Sequence, residues 1–287
     1  MKYTNKYRLP QSIVDAIIKV QAEYDNEGSD LSASSITVPP RIYWYNKRYE
    51  DEIVVDVRSL FRSFVGTVCH SAAEAAALEQ KHIFAEVRYA KEILGWKVSA
   101  KIDRYDKKTK TLTDLKFSSI YSLSNEAKFD YVAQLNTQAY LMNEVGIEVK
   151  KLQLDMSAID WYEGRSIQKD YPNSPSKSIP VEFWPYDKTE QFLIDRVKLL
   201  QSYEHTPDDE IPICSPEERW CDPTVWAVYK DNKAKRALKL HSSEIGAVEH
   251  SAKIGGRIER REGIDKRCVD YCNVNFKCSY ALGKGYV

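Results

Sequence analysis

The chain has no net charge, no long apolar run and almost no cysteine before its last third. Its 42 Lys and Arg match 42 Asp and Glu. That balance excludes a uniformly basic coat of the histone kind and leaves room for a locally basic surface. No run approaches the ~20 apolar residues that span a bilayer. The start, Met1-Lys2-Tyr3-Thr4-Asn5-Lys6, is not followed by an apolar stretch. No secretory signal and no membrane partner are therefore expected, and a cytoplasmic setting is. There is no G-x-x-x-x-G-K-[ST] phosphate loop, so no ATP-driven motor is expected. Internal repeats and long low-complexity segments are also missing. What remains is an ordinary soluble composition, 43% hydrophobic and 29% charged over 287 residues, enough for one substantial core with a small appended module.

The apolar spacing predicts a helix over 8–28, carried by Ile13, Ile17, Ile18, Val20 and Tyr24, and a rigid turn at Val38-Pro39-Pro40-Arg41. Further helices are expected over 56–78, 128–144 and 190–203. Alternation predicts strands at 96–102, 112–117 and 150–159, with a short edge segment at 87–90 and an exposed loop over 164–180. The first two strands are expected to pair as a hairpin. This order implies an α/β fold, a mixed sheet flanked by helices. The expected divisions are a lead-in over 1–55, a core over 56–205 and a C-terminal region over 206–287.

Chemistry concentrates in Ile102-Asp103-Arg104 and Thr113-Asp114-Leu115-Lys116. Asp114 and Lys116 lie two apart on one strand and share a face. Two ionised carboxylates repel unless a cation sits between them, and oxygen ligands suit magnesium or manganese. A neighbouring lysine can orient or help deprotonate a water and stabilise a pentavalent phosphate. The plain alternative is a hairpin with solvated charges. Upstream, His70 and Glu74 are four apart on one helical face, and Glu86 precedes the hairpin. Downstream, Gln134 lies on the helix that follows.

Five of the six cysteines fall after residue 200, three of them as Cys268-x3-Cys272-x5-Cys278. Together with Cys214 or Cys221 they could hold a thiophilic metal, either zinc or an iron–sulfur cluster. They could equally be small buried hydrophobes. Residues 230–287 carry 13 Lys and Arg against 7 Asp and Glu. Lys230, Lys233, Lys235, Arg236 and Lys239 form one basic run. Arg257, Arg260, Arg261, Lys266 and Arg267 form another. Both would suit a phosphate backbone, and Tyr43, Tyr45 and Tyr49 could stack on bases. Solvated faces and core-edge tyrosines are the plain alternatives.

In this ordered set the chain resembles the PD-(D/E)xK nuclease superfamily, in its RecB-like exonuclease branch of phages and CRISPR-associated exonucleases, over roughly residues 35–287. Gly66-x-x-x-His70, Asp103, Asp114-Leu115-Lys116 and Gln134 match its successive motifs. The resemblance implies a restriction-endonuclease-like core with a cysteine-rich C-terminal extension. It implies a divalent-metal-dependent deoxyribonuclease, an exonuclease acting at DNA ends in recombination, repair or phage replication. His70, Asp103, Asp114 and the Leu115 carbonyl would bind Mg²⁺ or Mn²⁺. Lys116 would be the catalytic lysine, with Glu86 and Gln134 in support. The cysteines would carry a [4Fe–4S] cluster, with Cys214 favoured over Cys221 because its Cys-x-x-Glu-Glu-Arg-Trp setting resembles that of phage relatives. The partners implied are double- or single-stranded DNA, a single-strand annealing protein and further copies of the chain. The setting implied is bacterial or phage-infected host cytoplasm. The chain departs from the branch in four places, the first being that the branch's distant cysteine precedes the core, whereas Cys214 and Cys221 follow it and only Cys69, beside His70, comes earlier. No proline precedes Asp103. Gln138 stands where the branch has a tyrosine, leaving Tyr131 or Tyr140 as the DNA-facing aromatic. The cysteine spacing is C-x3-C-x5-C in place of C-x2-C-x5-C. A nicking or structure-specific endonuclease, or a non-catalytic DNA-binding module, are the other readings.

Overall fold

The computed structural model describes residues 2–23, 25–123, 126–168 and 170–287. In chain order the elements are β1 (Lys2–Thr4), α1 (Gln11–Ala22), β2 (Leu31–Ser32), α2 (Pro40–Arg48), β3 (Val54–Asp56), α3 (Val57–Leu78), β4 (Ile83–Phe84), β5 (Arg88–Ile93), β6 (Trp96–Lys101), β7 (Arg104–Asp106) and β8 (Thr111–Ser118). They continue with α4 (Phe129–Glu144), β9 (Lys151–Ala158), β10 (Ser176–Val181), α5 (Tyr186–Gln201), β11 (Val225–Tyr229), β12 (Lys239–His241), α6 (Glu244–Ile254), β13 (Arg257–Arg261) and α7 (Ser279–Gly283). The fold is mixed α/β. Among the described residues no helix is long and apolar enough to cross a membrane.

The chain divides into two compact units, Met1–Val38 with Val54–Glu204, and Pro39–Ile53 with His205–Val287. Residues 39–53, which the sequence assigns to the lead-in, thus cluster with the C-terminal residues. Pro39 and Pro40 do more than turn the chain. Pro40 sits in the first turn of α2, where a missing N–H costs nothing.

The first unit holds a five-stranded sheet, β10-β9-β8-β7-β4, and a three-stranded sheet, β2-β6-β5. β8 and β9 run parallel, and the other pairs of the larger sheet are antiparallel. This corrects the expected hairpin. β6 pairs with β5, while the partner of β8 is the three-residue β7. Alternation in 96–102 signals a strand, but nothing in it names the neighbour. The loop expected over 164–180 ends in β10, and α5 begins at Tyr186, four residues before the expected start. α1 is shorter than expected, from the residue after Pro10 to Ala22, and Tyr24 lies outside the described residues.

Helix α4 packs against both sheets. Its residues 135–142 are all buried, including the polar Asn136, Thr137 and Gln138, so it is enclosed on nearly every side. Leu135, Ala139 and Met142 join Leu112, Leu154 and Met156 in one apolar core. Asn136 is fully partnered there. It donates to the carbonyls of Val132 and Glu182 and accepts from Trp184 N at 2.7 Å. The first turn of α3 is fixed by Asp56, whose carboxylate caps Arg58 N and also receives Thr4 and Lys6.

In the second unit β12-β11-β13 form an antiparallel sheet with α6 against it. Ser243 caps α6, and Gly255, at φ 65°, ends it in the left-handed conformation that glycine adopts freely. His241 and His250 share a 2.9 Å hydrogen bond between β12 and α6.

A candidate metal centre and a cysteine cavity

Leu112, Asp114 and Lys116 project from one face of β8, the face that α4 covers. The row changes from apolar to charged as it approaches Gln134. Asp114 is fully buried. Its Oδ1 accepts from Gln134 Nε2 at 2.7 Å, and its Oδ2 lies 2.8 Å from Lys116 Nζ. That second oxygen has the ion pair but no aligned hydrogen bond. Lys116 also approaches Gln134 Oε1 at 3.4 Å and lies 5.4 Å from the Tyr131 ring centroid. Burial disfavours the Lys116 ammonium, but the Asp114 and Asp103 carboxylates outweigh it and hold its pKa above the ordinary value.

Asp103 sits between β6 and β7. Its Oδ2 accepts from Leu115 N at 2.7 Å, which ties it to β8, and its Oδ1 lies 3.7 Å from His70 Nδ1. Burial first, and the Asp114 charge second, push its pKa up to about 7. Burial and Lys116 lower the pKa of His70, so its ring is neutral and ligand-ready at neutral pH. The same ring meets Phe117 edge-on at 5.4 Å.

His70, Glu86 and Asp103 offer one ligand atom each within 4.8 Å of one another, the one such group of three among the described residues. Asp114, expected as a ligand, stands outside it, and Glu86, expected in support, stands inside. Glu86 reaches this position from a backbone φ of 55°, uncommon for a residue with a side chain. Its carboxylate is ion-paired with Lys101. Lys101, Thr67 and Glu74 line the same cleft, of about 290 Å³. Lys101 went unread in the sequence because it resembles any solvated strand lysine. One imidazole nitrogen with carboxylate oxygens is a donor set that fits a hard divalent ion. The position of Leu115 is fixed through its N–H, which Asp103 receives.

Tyr140, expected to face DNA, does not. It is 2% exposed, receives Lys91 Nζ at 2.8 Å and donates to Glu190 at 3.0 Å. The enclosure of α4 turns that position inward. Tyr131, three residues before Gln134, is the tyrosine beside Lys116. Gln138 is buried and donates to the Lys101 carbonyl. Tyr43 and Tyr45 are also buried, and Tyr45 and Tyr49 bond to Asp208, so these tyrosines do not form a base platform.

In the second unit Cys214, Cys268, Cys272 and Cys278 line one cavity, with Arg41, Arg219 and Arg267 around them. Arg41 Nη1 approaches Cys278 Sγ at 3.9 Å. Burial raises the thiol pKa of Cys214 to about 12 and of Cys268 to about 11. Cys221 is exposed, forms an isolated bridge with Asp265 and takes no part in the cavity. Lys230, Lys233, Lys235, Arg236 and Arg260 are exposed. Arg261 is held by Glu259 and by the Tyr229 hydroxyl.

No known protein family matches the chain, and no curated protein matches it. Among the solved structures that superpose on part of it are these two. The crystal structure of SSO0001 is 13% identical, covers 68% of this chain and 86% of its own, and gives a TM-score of 0.47. A phage related exonuclease from Haemophilus somnus 129PT is 10% identical, covers 69% of this chain and 80% of its own, and gives 0.30. At that degree of superposition neither likeness establishes the fold or the activity.

Proposed function

We propose that the chain is a divalent-metal-dependent DNA exonuclease with a PD-(D/E)xK-type core. The observation that carries this reading is the interlock of Asp103, in the bend between β6 and β7, with β8, the strand that bears Asp114. Asp103 is held by Leu115 N and turned toward His70, while Asp114 is clamped by Lys116 and Gln134. Two buried carboxylates are otherwise an unfavourable pair. His70, Glu86 and Asp103 would hold the ion, joined by Asp114 across the same strand pair. When bound, Mg²⁺ or Mn²⁺ would lower the pKa of an attacking water and polarise the phosphodiester. Lys116, whose neighbouring carboxylates favour its ammonium, would offset charge building on the phosphate oxygens. Gln134 fixes both Asp114 and Lys116.

The four cavity cysteines are proposed to hold a [4Fe–4S] cluster. Among the described residues no three sulfurs lie within 4.8 Å of one another. Zinc held by the same four thiolates is the alternative occupant of the cavity. Recombination, repair or phage replication in a bacterial or infected-host cytoplasm is the proposed setting, with a single-strand annealing protein and further copies of the chain as partners. The exposed basic run over 230–239 is proposed to contact the DNA backbone.

Digestion of linear and closed circular DNA with Mg²⁺ or Mn²⁺ tests the reading. Short products from linear DNA, spared circles and no products from Asp114→Ala or Lys116→Ala are expected. Nicked or linearised circles would instead indicate an endonuclease. A wild type that binds DNA and leaves it intact would be a non-catalytic module.

A further inference from the structure

Three strongly exposed large side chains of the first unit lie in the segments that follow its parallel strand pair. Tyr121 and Ile167 are each 93% exposed, and Tyr162 is 65% exposed. β8 and β9 are paired in register from Thr111 with Lys151 to Ser118 with Ala158, so the two strands end level. Tyr121 lies in the 3-10 turn Ile120–Ser122 that follows β8, and Tyr162 lies in the segment that follows β9.

These two turns are anchored. Ile159 N donates to the Ser118 carbonyl at 2.9 Å, and Ile120 N donates to Asp160 Oδ1 at 2.6 Å, which joins them. Tyr162 N donates to the Tyr171 hydroxyl at 2.7 Å, and Trp161 Nε1 donates to the Pro172 carbonyl at 2.9 Å. The Tyr162 ring lies so close over Gly164 that a Cβ there would sit 2.6 Å from it. Glycine therefore lets the ring rest on the turn, with its outer face open. Fixed backbone under aromatic faces left in water is what a stacking surface requires.

We propose that Tyr121 and Tyr162 are a stacking platform for unpaired nucleotides beside the catalytic strand. The proposal rests on the nuclease reading above and adds a substrate class to it, DNA with a single-stranded end. Three observations select that occupant. Tyr121 is five residues beyond Lys116, a chain reach of at most about 17 Å. Stacked nucleotides rise about 3.4 Å each, so a strand with its phosphate at Lys116 passes the platform within a few nucleotides. Charge on the turn is mixed, with Arg165 beside Glu163. Base stacking, which any base can supply, therefore outweighs phosphate attraction at this spot.

The test is binding of fluorescein-labelled dT12 and of a blunt hairpin duplex, read by anisotropy with calcium in place of magnesium. Tyr121→Ala and Tyr162→Ala should each weaken dT12 binding by about five- to a hundredfold. The salt dependence of dT12 binding should not change, hairpin binding should stay within about twofold, and the phenylalanine variants should bind dT12 like wild type. Equal binding of dT12 by the alanine variants, or equal weakening on the hairpin, overturns the platform. So does a wild-type dimer in sedimentation that the alanine variants dissociate, which would make the occupant a second copy. A wild type that digests DNA while the alanine variants bind normally sinks the platform alone. A wild type that neither digests nor binds DNA sinks the nuclease reading with it.

Discussion

Gln134 donates to Asp114 at 2.7 Å across the interface between α4 and β8. One amide thereby joins the enclosed helix to the strand that carries the acid and the lysine. Gln134→Leu keeps much of the volume and removes the donor, leaving one oxygen of a fully buried carboxylate with nothing to accept. A stability loss of roughly 1–3 kcal/mol is expected, together with a fall in nuclease rate and little change in DNA affinity. Chemical denaturation and single-turnover digestion measure the two. An unchanged single-turnover rate would remove Gln134 from the site.

Asp114 and Lys116 form the innermost ion pair, with the carboxylate side chain 0% exposed and the lysine 25%. Removing one partner of a buried pair leaves an uncompensated charge, at roughly 3–5 kcal/mol, whereas replacing both with apolar groups is often neutral. Lys116→Met and Asp114→Leu should therefore each destabilise the fold strongly, and the double variant less than either. All three should be inactive. Additive losses in the double variant would mean that the two charges do not depend on each other.

Asp103 predicts a pH dependence with a definite sign. Its pKa is pushed from 3.8 up to about 7, by burial first and by Asp114 second. Between those values the folded protein holds a proton that the unfolded chain has released. In the metal-free protein this group adds stability as pH falls from about 7 to 3.8, and its destabilising effect is complete above about 7. A metal must displace that proton, so below about 7 its apparent affinity should fall by about tenfold per pH unit. The His70 pKa is moved the other way, downward, by burial first and by Lys116 second. Thermal unfolding with and without MnCl2 at pH 6 and pH 8 should show the larger metal-induced rise at pH 8. Equal rises at both would exclude Asp103 as a ligand.

The proximity of Asp103, Asp114 and Lys116 was readable because it needs only two-residue spacing and a short reversal. The reversal itself was misplaced. A three-residue strand, Arg104–Asp106, carries too little alternation to register, while Trp96–Lys101 carries plenty and pairs elsewhere. Glu86 reaches the cleft through one left-handed backbone step, which no local pattern announces. Tyr140 is a candidate only because Gln138 stands where the resembled branch has a tyrosine, and α4 carries the polar Asn136, Thr137 and Gln138 beside it. Their partners inside the fold, not water, account for that polarity. Cysteine clustering, by contrast, singles out Cys268, Cys272 and Cys278, while the preference for Cys214 over Cys221 comes from the resemblance and not from spacing.

Gly66 offers a test in which stability and activity move in opposite directions. It lies inside α3, one turn before His70, and a Cβ there would meet nothing within 4 Å. Nothing in the fold requires this glycine, yet it costs about 1 kcal/mol against alanine in a helix. Ala73 and Ala77 continue the same helical stripe, with Ala77 buried, so the opening lies just ahead of the His70 cleft. Gly66→Ala should raise stability by about 0.5–1 kcal/mol. It should also raise KM for DNA by narrowing the approach to His70. A stabilised variant with wild-type KM would show that substrate does not pass over this residue.

The cysteine cavity separates five similar residues into two classes. Cys214, Cys268, Cys272 and Cys278 share it, and Cys221 is exposed, with its Sγ 3.4 Å from the Asp222 carbonyl. Burial holds the Cys214 and Cys268 thiols up near 12 and 11, so as free groups they stay protonated and gain little from being together. A bound iron–sulfur group would reverse that by taking them as thiolates. Each of the four Cys→Ser variants should lose absorbance near 400 nm and iron content, and should unfold at lower temperature than wild type. Cys221→Ser should keep all three properties. A colourless wild type with one zinc per chain would replace the cluster with a mononuclear site on the same residues. A metal-free wild type would leave four cysteines packed as small apolar groups, whose serine variants cost only the burial of a hydroxyl.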